Sequence, residues 1–255
     1  MSDEISGRGD PLKSLKLLWE GTEKPKRGPR QKVELGALVT AAIEIADTEG
    51  LGGVSTRRVA EKVGISPMSF YTYIPGKAEL LDLMLDTVGG RDIGEVPEFE
   101  PAQWRSNLTL MAVGLRDFYL RHPWVLDLAT HRPVLGPGTM TAYEFALRTV
   151  DGLGLSPVEM DLVVTTISAF AIGAARPQAQ AKKVREATGL TDDQWWYTIE
   201  PYLSTRDFSP WPVSQRIGPI VGELYGLGDP DMAFKFGMER LLDGFAVLIE
   251  RNKGG

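Results

Sequence analysis

The stretch STRRVAEKVGISPMSFYTYI, residues 55–74, leaves a chain few ways to fold. Two short apolar-periodic segments flank Gly64, and each opens on a hydroxyl side chain able to cap a helix. Ser55 or Thr56 precedes Val59, Ala60 and Val63, and Ser66 precedes Phe70. Pro67 then takes the first helical position, where its missing N–H does no harm. A tight turn between steeply crossing helices favours glycine at 64, and Ala60 is small where the two approach. Val59, Val63, Ile65, Phe70 and Ile74 can supply a shared core. The pattern is that of a helix-turn-helix. Its second helix would expose Pro67, Met68, Ser69, Tyr71, Thr72 and Tyr73 and carry its first residues into a major groove. Short helix pairs with no DNA role share this pattern, so the surroundings have to decide.

Charge separates this region from the rest. The 255 residues sum to −6, yet residues 24–77 hold nine basic and five acidic side chains. Residues 78–255 sum to −8, so a small basic part is joined to a large acidic one and only the first suits a polyanion. Five of the nine positive charges fall in KPKRGPRQK, residues 24–32, around two prolines. Gly, Ser, Asp, Lys and Pro dominate residues 1–32, which read as a flexible basic N-terminal arm able to lie in a minor groove. Leu12, Leu15, Leu18 and Trp19 within it could share one face of a docked helical turn.

From Val33 the periodicity is helical, first through Leu35, Leu38, Ala42, Ile45 and Ala46 to Gly50. A further helix opens at Lys77 with Leu80, Leu81, Met84 and Leu85. Later helical patterns cover 101–121, 139–152, 157–175 and 230–250, with shorter pieces near 124–129, 178–188, 192–204 and 213–225. The expected fold is all-α: a helix-turn-helix domain over 33–79, then a larger helical domain over 80–255. No cysteine is present, which removes disulfides, thiol nucleophiles and Cys-based metal sites. His122 and His131 are the only histidines, too few for a multi-histidine centre, and no cofactor or metal is expected. No apolar run reaches the ~18 residues of a membrane span and the first residues are polar, so a cytoplasmic protein is expected.

Residues 33–85 resemble the DNA-binding domain of the tetracycline-repressor (TetR) family. The matching features are the first helix ending at Gly50, the element STRRVA–VGIS, the FYTYI recognition helix, and KAELL opening the next helix. The resemblance implies that Thr56, Tyr73 and Lys77 clamp phosphates, that Arg57 reaches into the groove, and that Met68, Ser69, Tyr71 and Thr72 face the bases. Phe70 and Ile74 read better as core.

Likeness to the ligand-binding and dimerisation domain of the tetracycline repressor extends over WRSNLTLMAVGLRDFYLRH, the following THRP, GLSPVEMDLVVTTISAFAIG and MAFKFGMERLLDGF. It implies a small molecule held by Ile93, Leu108, Met111, Leu115, Leu128, His131, Tyr143, Val164, Thr165 and Ser168. Leu128 falls where that repressor has a magnesium-binding histidine, and Met111 where it has a drug-gripping asparagine. Leucine cannot ligate a hard cation, so the expected inducer is a more apolar compound than magnesium–tetracycline. Residues 157–175 are apolar on nearly every side, and the last helix carries the stripe Phe234, Met238, Leu241, Phe245 and Leu248. These helices can form half of a four-helix bundle that a symmetry mate completes, giving a homodimer that reads a palindrome.

A ligand-responsive repressor of a double-stranded DNA operator is the leading reading. A constitutive or architectural DNA-binding protein would share the head but have little use for the acidic domain. Catalysis has no support: no G-x-S-x-G or H-E-x-x-H occurs, and the glycine pairs near 152 and 226 follow no strand.

Overall fold

The computed structural model describes residues 9–22, 33–91, 93–128 and 132–253. Among them are α-helices and short 3-10 turns, with no strand. In chain order the helices are α1 (Pro11–Glu20), α2 (Leu35–Glu49), α3 (Thr56–Lys62), α4 (Pro67–Phe70) and α5 (Lys77–Arg91). There follow α6 (Trp104–Arg121), α7 (Pro137–Arg148), α8 (Pro157–Thr188), α9 (Asp192–Leu203), α10 (Pro212–Tyr225) and α11 (Pro230–Lys253). A 3-10 turn, Pro123–Asp127, links α6 to the segment before α7.

The first core gathers Leu38, Ile43 and Ala46 of α2, Val59 and Ala60 of α3, Phe70 of α4, Ile74, and Leu80, Leu81, Met84 and Val88 of α5. Trp124, Val125 and Leu128, from beyond α6, complete this same core. The sequence division at residue 79 therefore falls inside α5, whose apolar face belongs to a core built from both sides of it. At the junction, Asp47 Oδ1 of α2 lies 2.7 Å from His122 Nδ1 and accepts Trp124 Nε1–H at 2.7 Å. A second core packs Leu108, Met111 and Ala112 of α6 against Val163, Val164 and Ile167 of α8 and Phe234, Met238 and Leu242 of α11.

Two expectations are corrected. Within the segment read as an arm, Pro11–Glu20 is a helix, capped by the Asp10 side chain and docked on α5. The docking is polar: Ser14 Oγ donates to Asp82 Oδ2 at 2.7 Å with both residues fully buried, and Asp10 N donates to Glu79 Oε1 at 3.1 Å. Trp19 Nε1 donates to the Leu135 carbonyl at 3.1 Å. Residues 24–32, the basic part of that segment, lie outside the described residues. The second correction concerns 178–188, which is no separate piece. α8 runs on through Pro177, with Arg176 donating to the Leu126 carbonyl at 3.0 Å and Lys183 pairing with Asp127 at 2.7 Å.

By length and composition α8 could cross a membrane, but one such helix is weak evidence, and its inner face packs on α6 and α11. Its Val158 and Leu162 remain exposed, as do Phe236 and Val247 of α11. α9 and α10 bury none of their residues, and neither Trp195 nor Trp196 covers a core of this chain.

Replacing Ser14 with alanine would leave the buried Asp82 carboxylate short of a donor, a loss of about 1–3 kcal/mol. Urea denaturation should show that loss. An unchanged midpoint would mean that α1 docks without help from this bond.

Candidate DNA-reading head and ligand chamber

The reading head is built by its caps. Ser55 Oγ accepts the Arg58 N–H and starts α3, and Ser66 Oγ accepts the Ser69 N–H to start α4, with Pro67 at its first turn. Gly64 adopts φ +76, a conformation side chains rarely take, and Ile65 N–H returns to the Ala60 carbonyl at 3.0 Å. α4 is one turn long and continues through Tyr73 by three-residue hydrogen bonds, Thr72 to Ser69 and Tyr73 to Phe70.

The predicted groove residues form one exposed end. Met68 is 77% exposed and Tyr71 50%, with Pro67 and Thr72 beside them and Ser69 half-buried. Tyr71 is held in place: its hydroxyl and Thr56 Oγ1 share a 3.2 Å hydrogen bond, and its ring packs edge-on to Phe70 at 5.7 Å. Ser69 and Thr72 spend polar capacity locally, on Ser66 Oγ and the Ser69 carbonyl. Tyr73 departs from its expected place. It is only 6% exposed and packs with Phe70 and Ile74, because it falls three residues after Phe70 on the same inward face.

The cations of α3 are each matched by a carboxylate. Arg57 Nε meets Glu61 at 2.8 Å, Arg58 grips Glu49 through both Nη atoms at 2.6 Å, and Lys62 meets Glu44 at 3.0 Å. The hydrogen bond to Glu61 raises the Arg57 pKa, and that from Arg58 holds Glu49 below its usual value. These pairs differ in kind. Arg58 also donates to the Gly53 carbonyl and so braces the loop before α3, whereas Arg57 is bound by one exposed i,i+4 contact that DNA can replace. Over residues 33–77 four cations face five acids, so the positive excess of residues 24–77 comes from residues 24–32.

The chamber, about 820 Å³, opens between α5, α6, α7 and α8. Leu85, Val88 and Gly89 of α5 form one wall and Val134 another, with Thr139 and Ala142 of α7 opposite. It receives Ile93, Met111, Leu115, Tyr143, Val164, Thr165 and Ser168, seven of the positions expected from sequence. Two others are corrected. Leu108, one turn before Met111, points into the second core, and Leu128 packs in the first. His131 lies outside the described residues.

Sequence reasoning missed Tyr119, Phe118, Phe145 and Thr139. The Phe118-Tyr119 pair in α6 was the available signal. Polar groups are a minority and include the charged Glu95, Asp117 and Arg121; Tyr143 donates to Asp161 at 2.8 Å, a bond that raises its pKa, and burial pushes the Tyr119 phenol up. A second cleft, about 870 Å³ between the end of α2 and the far half of α8, is lined by Asp47, Glu49, Lys182, Arg185 and Glu186 and touches no predicted residue. A mostly apolar wall with a minority of polar anchors is what small-molecule sites share, which favours the first.

A helix-turn-helix head sharing its core with a chambered helical domain defines a DNA-binding regulator. The family model for bacterial regulatory proteins of the tetR family matches residues 38–84, and that for the tetracyclin repressor-like C-terminal domain matches residues 96–249. The chain belongs to the TetR family of transcriptional repressors. It is 39% identical to the HTH-type transcriptional repressor DrrR1 of Streptomyces coeruleorubidus, over 99% of this chain and 92% of that protein. It is 24% identical to the class D tetracycline repressor protein of Escherichia coli, over 84% and 89% of the two chains. The solved structure of Streptomyces coelicolor ActR in complex with actinorhodin aligns with a TM-score of 0.67 and 29% identity, covering 84% of this chain and 95% of that one.

Arg57→Ala should weaken binding to the specific DNA site about tenfold or more if the guanidinium makes a base contact, as fluorescence anisotropy would show. Unchanged affinity and site preference would remove Arg57 from the reading set.

Proposed function

We propose that the protein is a cytoplasmic, ligand-responsive repressor that binds a palindromic operator as a homodimer and is released by a small, largely apolar molecule. The observation that carries this reading is the chamber's position. One of its walls is α5, the helix that closes the core of the reading head, so a bound molecule and the head touch the same element. The mostly apolar wall suits a largely apolar compound, and the ActR complex with actinorhodin shows a related chain holding a small molecule.

The homodimer is supported by apolar surface that one chain leaves uncovered. Val158 and Leu162 on α8 and Phe236 and Val247 on α11 stay exposed beside the buried stripes of the same helices. A helix apolar on two sides suits an isologous bundle. Two heads held about one DNA turn apart would then read two half-sites. Thr56, Arg57 and Lys77 would face phosphate or groove, Met68 and Tyr71 the bases, and Tyr73 no more than its hydroxyl edge. Met68 can offer only apolar contact, which suits a thymine methyl.

Selection of bound fragments from genomic DNA by the purified protein tests this, with the Arg57→Ala, Tyr71→Ala double variant as control. The wild type alone should recover a palindrome. Recovery of identical sequences by both proteins would contradict the assignment of the head.

The folded head has no positive excess of its own, so the reading also assigns the electrostatic attraction to Lys24, Lys26, Arg27, Arg30 and Lys32. Changing these five to glutamine keeps α1 intact and should flatten the salt dependence of DNA binding, by about 0.9 in log–log slope for each phosphate no longer neutralised. An identical slope would make the segment a bystander.

A further inference from the structure

α5 buries three carboxylates on one face. Glu79, Asp82 and Asp86 stand at i, i+3 and i+7, and each is turned toward a neighbouring element. Glu79 and Asp82 receive α1. Asp86 receives α7: its Oδ2 accepts the Gly138 N–H at 3.0 Å and its Oδ1 the Thr139 N–H at 2.8 Å. These are two of the first-turn donors that a helix cannot satisfy by itself. A charged acceptor there is favoured by the helix dipole, and two bonds from one carboxylate fix direction as well as distance.

The backbones meet at the same place. A Cβ on Gly136 would stand 2.5 Å from the Asp86 carboxyl carbon, one on Gly90 would stand 2.5 Å from Gly138 Cα, and one on Gly138 would overlap the Asp86 carbonyl oxygen. Glycine at 90, 136 and 138 is what lets the end of α5 and the start of α7 touch without intervening side chains. The two hydrogen bonds from the α7 backbone to the Asp86 carboxylate, at a place where the backbones themselves touch, are made or broken together.

The joint also borders the ligand space. Thr139, whose N–H Asp86 holds, lines the chamber, and Ala142 and Tyr143 continue that wall one turn on. On the other side of the joint Leu85, Val88 and Gly89 line the chamber from α5.

We propose that Asp86 is the positioning residue that couples the chamber to the reading head, through its two hydrogen bonds to the first turn of α7. This rests on the reading of the chamber as the effector site. Movement of α7 by a bound molecule pulls on Asp86 and thereby turns α5, and the head moves with α5. Linkage requires the converse: DNA held by the heads must alter α7.

The converse is testable without knowing the ligand. Amide hydrogen exchange is followed for residues 142–148 of the full chain, with and without the DNA fragment that the wild type selects. Those amides bond within α7 and not to Asp86, so loss of the cap does not by itself decide the result. In the wild type, DNA should change their exchange by about fivefold or more. Asp86→Ala should abolish the DNA-dependent change and Asp86→Asn, which keeps the side-chain shape and one acceptor, should reduce it. Ser14→Ala, which removes a different bond on the same face of α5, should retain it. Anisotropy in the same samples reports DNA binding, so failure to bind and failure to couple are read apart. A wild-type DNA-dependent change in Asp86→Ala and Asp86→Asn overturns the proposal, as does DNA bound to the wild type with no change in α7.

Discussion

The reading head does not close its core alone. Its apolar centre is completed by Trp124, Val125 and Leu128, which the chain supplies only after leaving α6. Trp124 is almost wholly buried, and its indole N–H is spent on Asp47 of α2, the same carboxylate that meets His122. Moving the head away from the second domain would expose an indole and strip a carboxylate of two partners, so independent swinging is strongly disfavoured. A head locked to the second domain in this way would move as one body with α5.

That constraint gives the chamber its meaning. Val125, beside Trp124, lines the chamber while Trp124 sits in the head, and α5 does both along one helix. A molecule in the chamber would touch elements that also pack against the head. It need only favour one arrangement of α5 over another by a few kcal/mol to shift the population between DNA-competent and released forms. Apolar walls and close-packed helices suit such a change, because packed interfaces hold a few discrete arrangements and resist intermediate ones.

The local parts of this architecture were legible in the amino-acid order. Ser55, Gly64, Ser66 and Pro67 each act within a few residues, so caps, turn and both short helices could be read directly. Tyr73 could not, since the same face that carries Phe70 takes its ring inward although its type suits a phosphate contact. In the second domain the helices were visible, but which side of each faced the chamber depended on neighbours. Met111 and Leu115 reach the chamber, while Leu108, on the adjoining turn, meets α8 and α11. The spacing of Leu12, Leu15, Leu18 and Trp19 hinted at a helical turn in α1, but not at what holds it: Ser14 and Asp82 are 68 residues apart and join by a hydrogen bond between two buried polar groups. The same holds for Asp86, whose partners are backbone N–H groups that no side-chain pattern reveals.

If chamber and DNA are coupled through α5, each must alter the affinity for the other by the same factor. Actinorhodin serves as the first probe, since a related chain is known in complex with it. Its affinity for the protein is measured with and without the selected DNA, and DNA affinity with and without the compound. The predicted result is that each weakens the other by the same factor, about 5–150-fold for a typical coupling. A compound that binds in the chamber while the two affinities ignore each other would contradict the coupling through α5.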